Sequence, residues 1–240
     1  MNLLNLKKFL IKCGEKIILQ KSDLEILPGQ RIALIGANGS GKTSLALALA
    51  GHPKYVIVAD EFKLFGQNAQ ELKPSDRACL GLFVSFQNPC EIPGLSLYDF
   101  LREAHKAKTG HCIPITDFRE LVNSSMELLG LDSKFLYRDL NVGFSGGEKK
   151  KLELLQLLVL QPRFAILDEI DSGLDIQSKD LIKKVIEKRS ADYPDFTVLL
   201  ISHDMGLCES LNLDFVYRIN NGVVEGHFSW HEQKRITHEI

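Results

Sequence analysis

The chain has 240 residues, 45% of them hydrophobic and 25% charged, and its 29 Lys and Arg nearly balance 31 Asp and Glu for a formal net charge of -2. That is ordinary globular material, enough for one domain or for one core carrying an inserted subdomain. The near-neutral balance argues against a nucleic-acid surface, and no apolar run approaches the ~20 residues needed to span a bilayer.

The opening MNLLNLKKFLIK is broken by Lys7 and Lys8 and lacks the apolar centre of a secretory signal, so it predicts a first strand with partial alternation. Short apolar runs then alternate with turn signals at Leu27–Gly29, Gly51–Pro53 and Phe65–Asn68. Arg31–Ile35 predicts a strand running into a Gly-rich loop, with a helix over Lys42–Ala50. Gly81–Phe86 predicts another strand. After a loop holding Pro89 and Pro93, helical patterns cover Ser96–Thr109, Asp117–Leu129 and Ser145–Leu160. From Arg163 the strand–helix alternation resumes: a strand at Phe164–Leu167, a helix near 175–190, a strand at Thr197–Ser202, and two strands joined by Asn220-Asn221-Gly222, a strong hairpin signal. The order predicts an α/β protein of one domain, with a core from residues 1–87 and 161–240 and a helical insert over 88–160.

Gly36-Ala37-Asn38-Gly39-Ser40-Gly41-Lys42-Thr43 fits GxxxxGKT with a strand before it and a helix, opening on Lys42, Thr43 and Ser44, after it. Glycines let several backbone N–H groups converge on phosphate oxygens, Lys42 reaches the β- and γ-phosphates, and the Thr43 hydroxyl ligates Mg²⁺. Phe164-Ala165-Ile166-Leu167 reads as a strand buried on both faces, and Asp168 and Glu169 at its end are expensive near a core unless they act. Asp168 is expected to hold Mg²⁺ and Glu169 to polarise the attacking water.

Ser145-Gly146-Gly147-Glu148 contains a capping box, a common device for starting any helix. A plain cap gains nothing from two glycines, each worth ~1 kcal/mol less than Ala in a helix interior. Glycines there bare amides that suit a γ-phosphate arriving from another subunit, which implies a site completed between two chains. Gln87, where a strand enters the insert, is placed to sense the γ-phosphate or Mg²⁺, and His203, at a strand end, to touch the γ-phosphate. Ser172-Gly173-Leu174-Asp175 would run along a subunit interface. Lys150, just past the glycines, is expected to form a resting ion pair with the Glu169 carboxylate. The cysteines at 13, 79, 90, 112 and 208 are scattered, without a CxxC pair, and read as reduced thiols of an intracellular protein.

Loop, Gln, SGG segment, Asp-Glu strand, SGLD and His stand here in the order of the ATP-binding-cassette (ABC) ATPases, and the chain resembles that family over nearly its whole length. FQNPCEIPGLS, NVGFSGGEKKK and ILDEIDSGLDI are more specifically similar to the SufC ATPases of iron–sulfur cluster assembly. The resemblance implies an ABC-type ATPase fold: a RecA-like parallel-sheet core with an N-terminal antiparallel β subdomain and an inserted α-helical subdomain. It also implies ATP and Mg²⁺ as cofactors, and a transient ATP-dependent homodimer on a SufB/SufD-like scaffold. No nucleic acid and no direct membrane insertion are expected, and the location is cytoplasmic, or the plastid stroma for an organelle-derived chain. The energising subunit of a membrane ABC transporter is the rival reading, since both share one ATP site. The aromatic residue that such ATPases stack on adenine has no counterpart here, the nearest match being Cys13.

Overall fold

In chain order, the elements of residues 2–229, the part described by this computed structural model, are β1 (Leu4–Cys13), β2 (Lys16–Ile26), β3 (Arg31–Gly36), α1 (Lys42–Ala50), β4 (Tyr55–Val58), β5 (Glu61–Leu64) and β6 (Gln67–Asn68). Then come α2 (Pro74–Leu80), β7 (Leu82–Ser85), β8 (Ile92–Ser96), α3 (Leu97–Thr109), α4 (Ile115–Leu129), a 3-10 turn (Ser133–Tyr137), β9 (Asp139–Leu140) and α5 (Gly146–Leu160). The chain continues through β10 (Phe164–Asp168), α6 (Ile176–Asp192), β11 (Thr197–Ile201), α7 (Met205–Ser210), β12 (Phe215–Asn220) and β13 (Val223–Ser229).

Two sheets organise these elements. β2, β1, β5 and β6 form an antiparallel sheet, with β4 pairing the far half of β1. The second sheet runs β13-β12-β3-β11-β10-β7, parallel except for the β12–β13 hairpin. Its central strands β10 and β11 are buried at every position, which is why they read as apolar runs broken only at one end, by Asp168 and Thr197. Period-two alternation divides them between two cores. Ile32, Leu34, Phe164, Ile166, Leu199 and Ile201 face α1 and the antiparallel sheet, while Ala33, Ala165, Leu167, Val198 and Leu200 face the helices on the other side. The strand order brings the C-terminal ends of β3, β11, β10 and β7 into one row, the edge where open α/β sheets bind ligands.

Three local expectations are corrected. α4 starts at Ile115 rather than Asp117, because Pro114 sits just ahead of it with a backbone already preset for helix entry. Gln67 and Asn68, read as turn, form the short strand β6 against β5. The segment read as a loop followed only by helices contains the β8–β9 ladder, and Pro93 lies inside β8. The ladder pairs only Ile92 with Leu140 and Ser96 with Asp139, so the missing N–H of Pro93 falls where no pairing is lost.

Candidate active site

β3 delivers the phosphate loop. A Cβ on Gly36 would lie 2.7 Å from the carbonyl oxygen of Ile219 and 2.8 Å from Ser40 Oγ, so only glycine passes this close to β12. Gly41 precedes α1 with φ 112° and contributes no side-chain cap, which leaves the first-turn amides of the helix unclaimed. Lys42 is buried and folds back over the loop, its Nζ donating to the carbonyls of Gly36 (2.8 Å) and Ala37 (3.0 Å). Burial lowers its pKa, against the upward pull of Glu169 and Asp168. Ala37, Asn38 and Gly39 form the exposed rim, Thr43 and Ser44 are half-buried, and Ser40 Oγ is buried without a partner. A cavity of about 1120 Å³ runs from this loop along the Asn220–Gly222 hairpin, and its apolar wall includes Leu10, Ile17 and Ile18.

β10 ends in the acidic pair. Asp168 is buried, its N–H donates to Ser85 Oγ at 3.1 Å, and the Thr43 side chain hydrogen-bonds its carboxylate. Burial raises its pKa, with the Thr43 bond opposing and the Glu169 charge adding to the rise. Asp168 Oδ1 is left buried without a hydrogen-bond partner. An orphaned carboxylate oxygen beside a threonine hydroxyl is the hard-oxygen donor set that suits Mg²⁺, so these residues fit that ion.

Glu169, Gln87 and His203 come together. Gln87 Nε2 donates to Glu169 Oε2 at 2.6 Å, and His203 Nε2 lies 3.9 Å from Glu169 Oε1. Glu169 itself has φ 50°, a left-handed backbone in which its N–H donates to the Ile201 carbonyl at 2.9 Å. The expected Lys150–Glu169 ion pair is absent. Lys150 Nζ instead donates to the backbone carbonyls of Glu169, at 3.2 Å, and Ser172. The geometry has a simple cause: the left-handed turn at Glu169 faces these carbonyls toward α5, while its carboxylate turns toward Gln87.

At the start of α5 the capping box is complete, with Glu148 N–H donating to Ser145 Oγ at 3.3 Å and Ser145 N–H to Glu148 Oε2 at 2.8 Å. That second bond is the main cause holding the Glu148 carboxyl below its ordinary range. A Cβ on Gly146 would meet nothing within 4 Å, and one on Gly147 only Leu174 at 4.0 Å, so the space before this helix start is open. Gly146 lines a cavity of about 410 Å³ with Gln87, Lys150, Glu153 and Glu169, while the phosphate loop from Gly36 to Ser40 lines the larger one. Asp175 caps α6 through Ser178 N–H at 2.8 Å, and Asp171, the third acid of this corner, accepts from Ser202 Oγ at 2.6 Å. Sequence reasoning missed Ser85, Asn141 and Glu153. Only Glu153 left a signal: a carboxylate amid the leucines of KLELLQLL, on a helix buried nearly all round.

Residues 19–172 match the family described as ABC transporter. The chain is 40% identical over 227 residues to "Probable ATP-dependent transporter ycf16" of Antithamnion sp., covering 92% of this chain and 89% of that protein. It is also 40% identical over 222 residues to "Iron-sulfur cluster assembly protein SufC" of Plasmodium falciparum (isolate 3D7), covering 90% of this chain and 63% of that protein. Among solved structures, a dimeric bacterial ABC transporter cassette shares the fold with a TM-score of 0.80 at 18% identity, covering 94% of this chain and 98% of that one. The ATP binding subunit of an ABC transporter does so with a TM-score of 0.79 at 21% identity, covering 98% and 93%. With its phosphate loop, Asp-Glu strand and SGG helix start, and with these relatives, the chain belongs to the ABC transporter family, as an ATP hydrolase similar to the SufC ATPases.

Proposed function

We propose that this chain is the ATPase subunit of an iron–sulfur cluster assembly scaffold, using ATP-driven dimerisation and hydrolysis to remodel that scaffold. The observation that carries the reading is the 40% identity to a SufC protein across nine tenths of this chain. We assign residues 2–87 and 161–229 to its catalytic core and 88–160 to its helical subdomain; Met1 and residues 230–240, expected in the core, lie outside the described residues. Partner contact falls beside Gln87, where Phe86 and Ile92 expose 47% and 40% of their surfaces. Phe86 also lines a cleft of about 390 Å³ with Ala78, Leu82, Phe100 and Ala104, which offers an apolar seat for a SufB/SufD-like protein. The location is cytoplasmic, or the plastid stroma for an organelle-derived chain.

In this reading the amides from Gly36 through Ser44 and the Lys42 amine hold the phosphates of ATP, the amine leaving the carbonyls of Gly36 and Ala37 to do so. Thr43, Asp168 and Gln87 would hold Mg²⁺, which supplies charge neutralisation at the β- and γ-phosphate oxygens. Glu169 takes a proton from the attacking water as the water oxygen bonds to the γ-phosphorus and the bond to the bridging oxygen breaks, releasing ADP. His203 contacts the γ-phosphate. Ser145, Gly146, Gly147 and Glu148 of a second copy close the site from the open side described above.

The transporter reading is favoured by the naming of several relatives, the ycf16 protein among them, as ATP-dependent transporters. Among the described residues no helix is long and apolar enough to cross a membrane, so either reading places the partner contact on a second protein. Affinity capture from native extract separates them. Recovery of a soluble scaffold supports cluster assembly, and recovery of a transmembrane protein overturns it.

A further inference from the structure

Glu153 lies in the middle of α5, only 4% exposed, among leucines on both sides. Its Oε2 accepts a hydrogen bond from the backbone N–H of Phe86 at 3.3 Å, and its Oε1 accepts one from Gln156 Nε2 at 3.3 Å. Phe86 lies just beyond Ser85, whose pairing with Leu167 is the last between β7 and β10, so its N–H is past the end of the sheet. The next residue is Gln87, whose amide holds the Glu169 carboxylate. A carboxyl buried here has to be desolvated, and a leucine would continue the apolar helix face without that penalty. Packing therefore gives no reason for an acid at this position, while its one contact outside α5 points at the catalytic cluster. Two further contacts fasten the same segment to the α5 region: Asn141 Nδ2 donates to the Cys90 carbonyl at 2.8 Å, and Lys149 Nζ meets Glu91 Oε1 at 2.8 Å.

We propose that Glu153 is a positioning residue for ATP hydrolysis: by holding Phe86 N–H it sets Gln87 against Glu169 and couples both to the helix whose first turn carries Ser145–Glu148. The proposal rests on the reading of Glu169 as the base. Any shift of α5 relative to the sheet then reaches the reacting carboxylate through two hydrogen bonds, Glu153 to Phe86 and Gln87 to Glu169.

The test compares steady-state ATPase and thermal stability of the full chain with those of Glu153→Leu, Glu153→Ala and Glu153→Gln. Glu153→Leu is expected to lower kcat roughly tenfold with KM for ATP unchanged, the scale of a small misplacement near a reacting group, and without lowering Tm. Glu153→Gln keeps an acceptor for Phe86 and should recover most of the loss. Glu153→Ala, which introduces no clash, gives the same kcat reading if the leucine variant does not fold. In the double variant with Gln87→Ala, the Glu153→Leu effect should vanish, because both changes break one connection. Wild-type kcat in both Glu153→Leu and Glu153→Ala overturns the proposal, as does an effect of full size persisting on the Gln87→Ala background. Glu169→Gln separates this from the underlying reading: if that variant is inactive and the Glu153 variants are not, only the coupling has failed.

Discussion

The phosphate loop and the Gln87–Glu169–His203 cluster sit on the same edge of one sheet, yet they are built by opposite means. The loop is contiguous, and Lys42 satisfies itself on carbonyls five and six residues away. Its shape follows from backbone torsions and close approach at Gly36 and Gly41. The cluster draws on three strand ends, and the bond between Gln87 and Glu169 spans 82 residues of sequence. Geometry set by local torsions survives small shifts of neighbouring elements, whereas geometry set by packing moves with them. Under the proposed function, binding belongs to the first kind of construction and hydrolysis to the second.

The largest effect should come from Glu169→Gln. We expect ATP binding to be kept while hydrolysis falls by roughly 10²–10⁴, the range for loss of a general base, with ATP-bound dimers accumulating. Lys42→Ala should do the reverse and weaken nucleotide binding. Filter binding beside steady-state ATPase checks both, and unchanged turnover in Glu169→Gln would break the division between the two regions. Next comes complementation. Chains defective at Ser145 mixed with chains defective at Lys42 should regain one composite site per mixed dimer, and folded mixtures that stay inactive would argue for a site within one chain.

A smaller effect is expected from Lys150→Ala. With its amine on the carbonyls of Glu169 and Ser172, the change should destabilise the turn by about 1–2 kcal/mol and lower ATPase several-fold. A rise in basal ATPase would instead revive a latch on the Glu169 carboxylate. The smallest effect concerns pH. Burial pushes the Glu153 carboxyl up to about 8, so the folded chain holds a proton there that the unfolded chain gives up near 4.5. This stabilising proton is fully present below pH 4.5, and its contribution is lost as pH rises through 8. Tm of the wild type should therefore fall relative to Glu153→Gln between pH 5 and 8, and parallel Tm curves would refute it.

What could be read in advance follows the same division. GxxxxGKT, the buried run Phe164–Leu167 and the capping box are short-range patterns, and α1, β10 and α5 lie where those patterns put them. The β12–β13 hairpin was equally legible, since Asn221 and Gly222, with φ 48° and 75°, take the two left-handed positions that an Asn-Gly turn requires. Side-chain pairing was not legible. Charge alone pairs Lys150 with the Glu169 carboxylate, but the left-handed turn offers it carbonyls instead, and a backbone torsion of that kind at a glutamate has no sequence signature. Asn141, buried with φ 62°, is a similar case: its link to Cys90 depends on how β8 folds against β9.

The backbone at Glu169 also bears on how this chain could change under selection. A non-glycine residue at φ 50° is held against its own preference by roughly 1 kcal/mol, and glycine is the residue that relieves it. Laboratory evolution for heat tolerance alone should therefore favour Glu169→Gly, a stabilised chain that, under the proposed function, keeps nucleotide binding and loses most of its turnover. A screen meant to harden this enzyme must demand turnover at every round, or it will enrich sequences that have lost it.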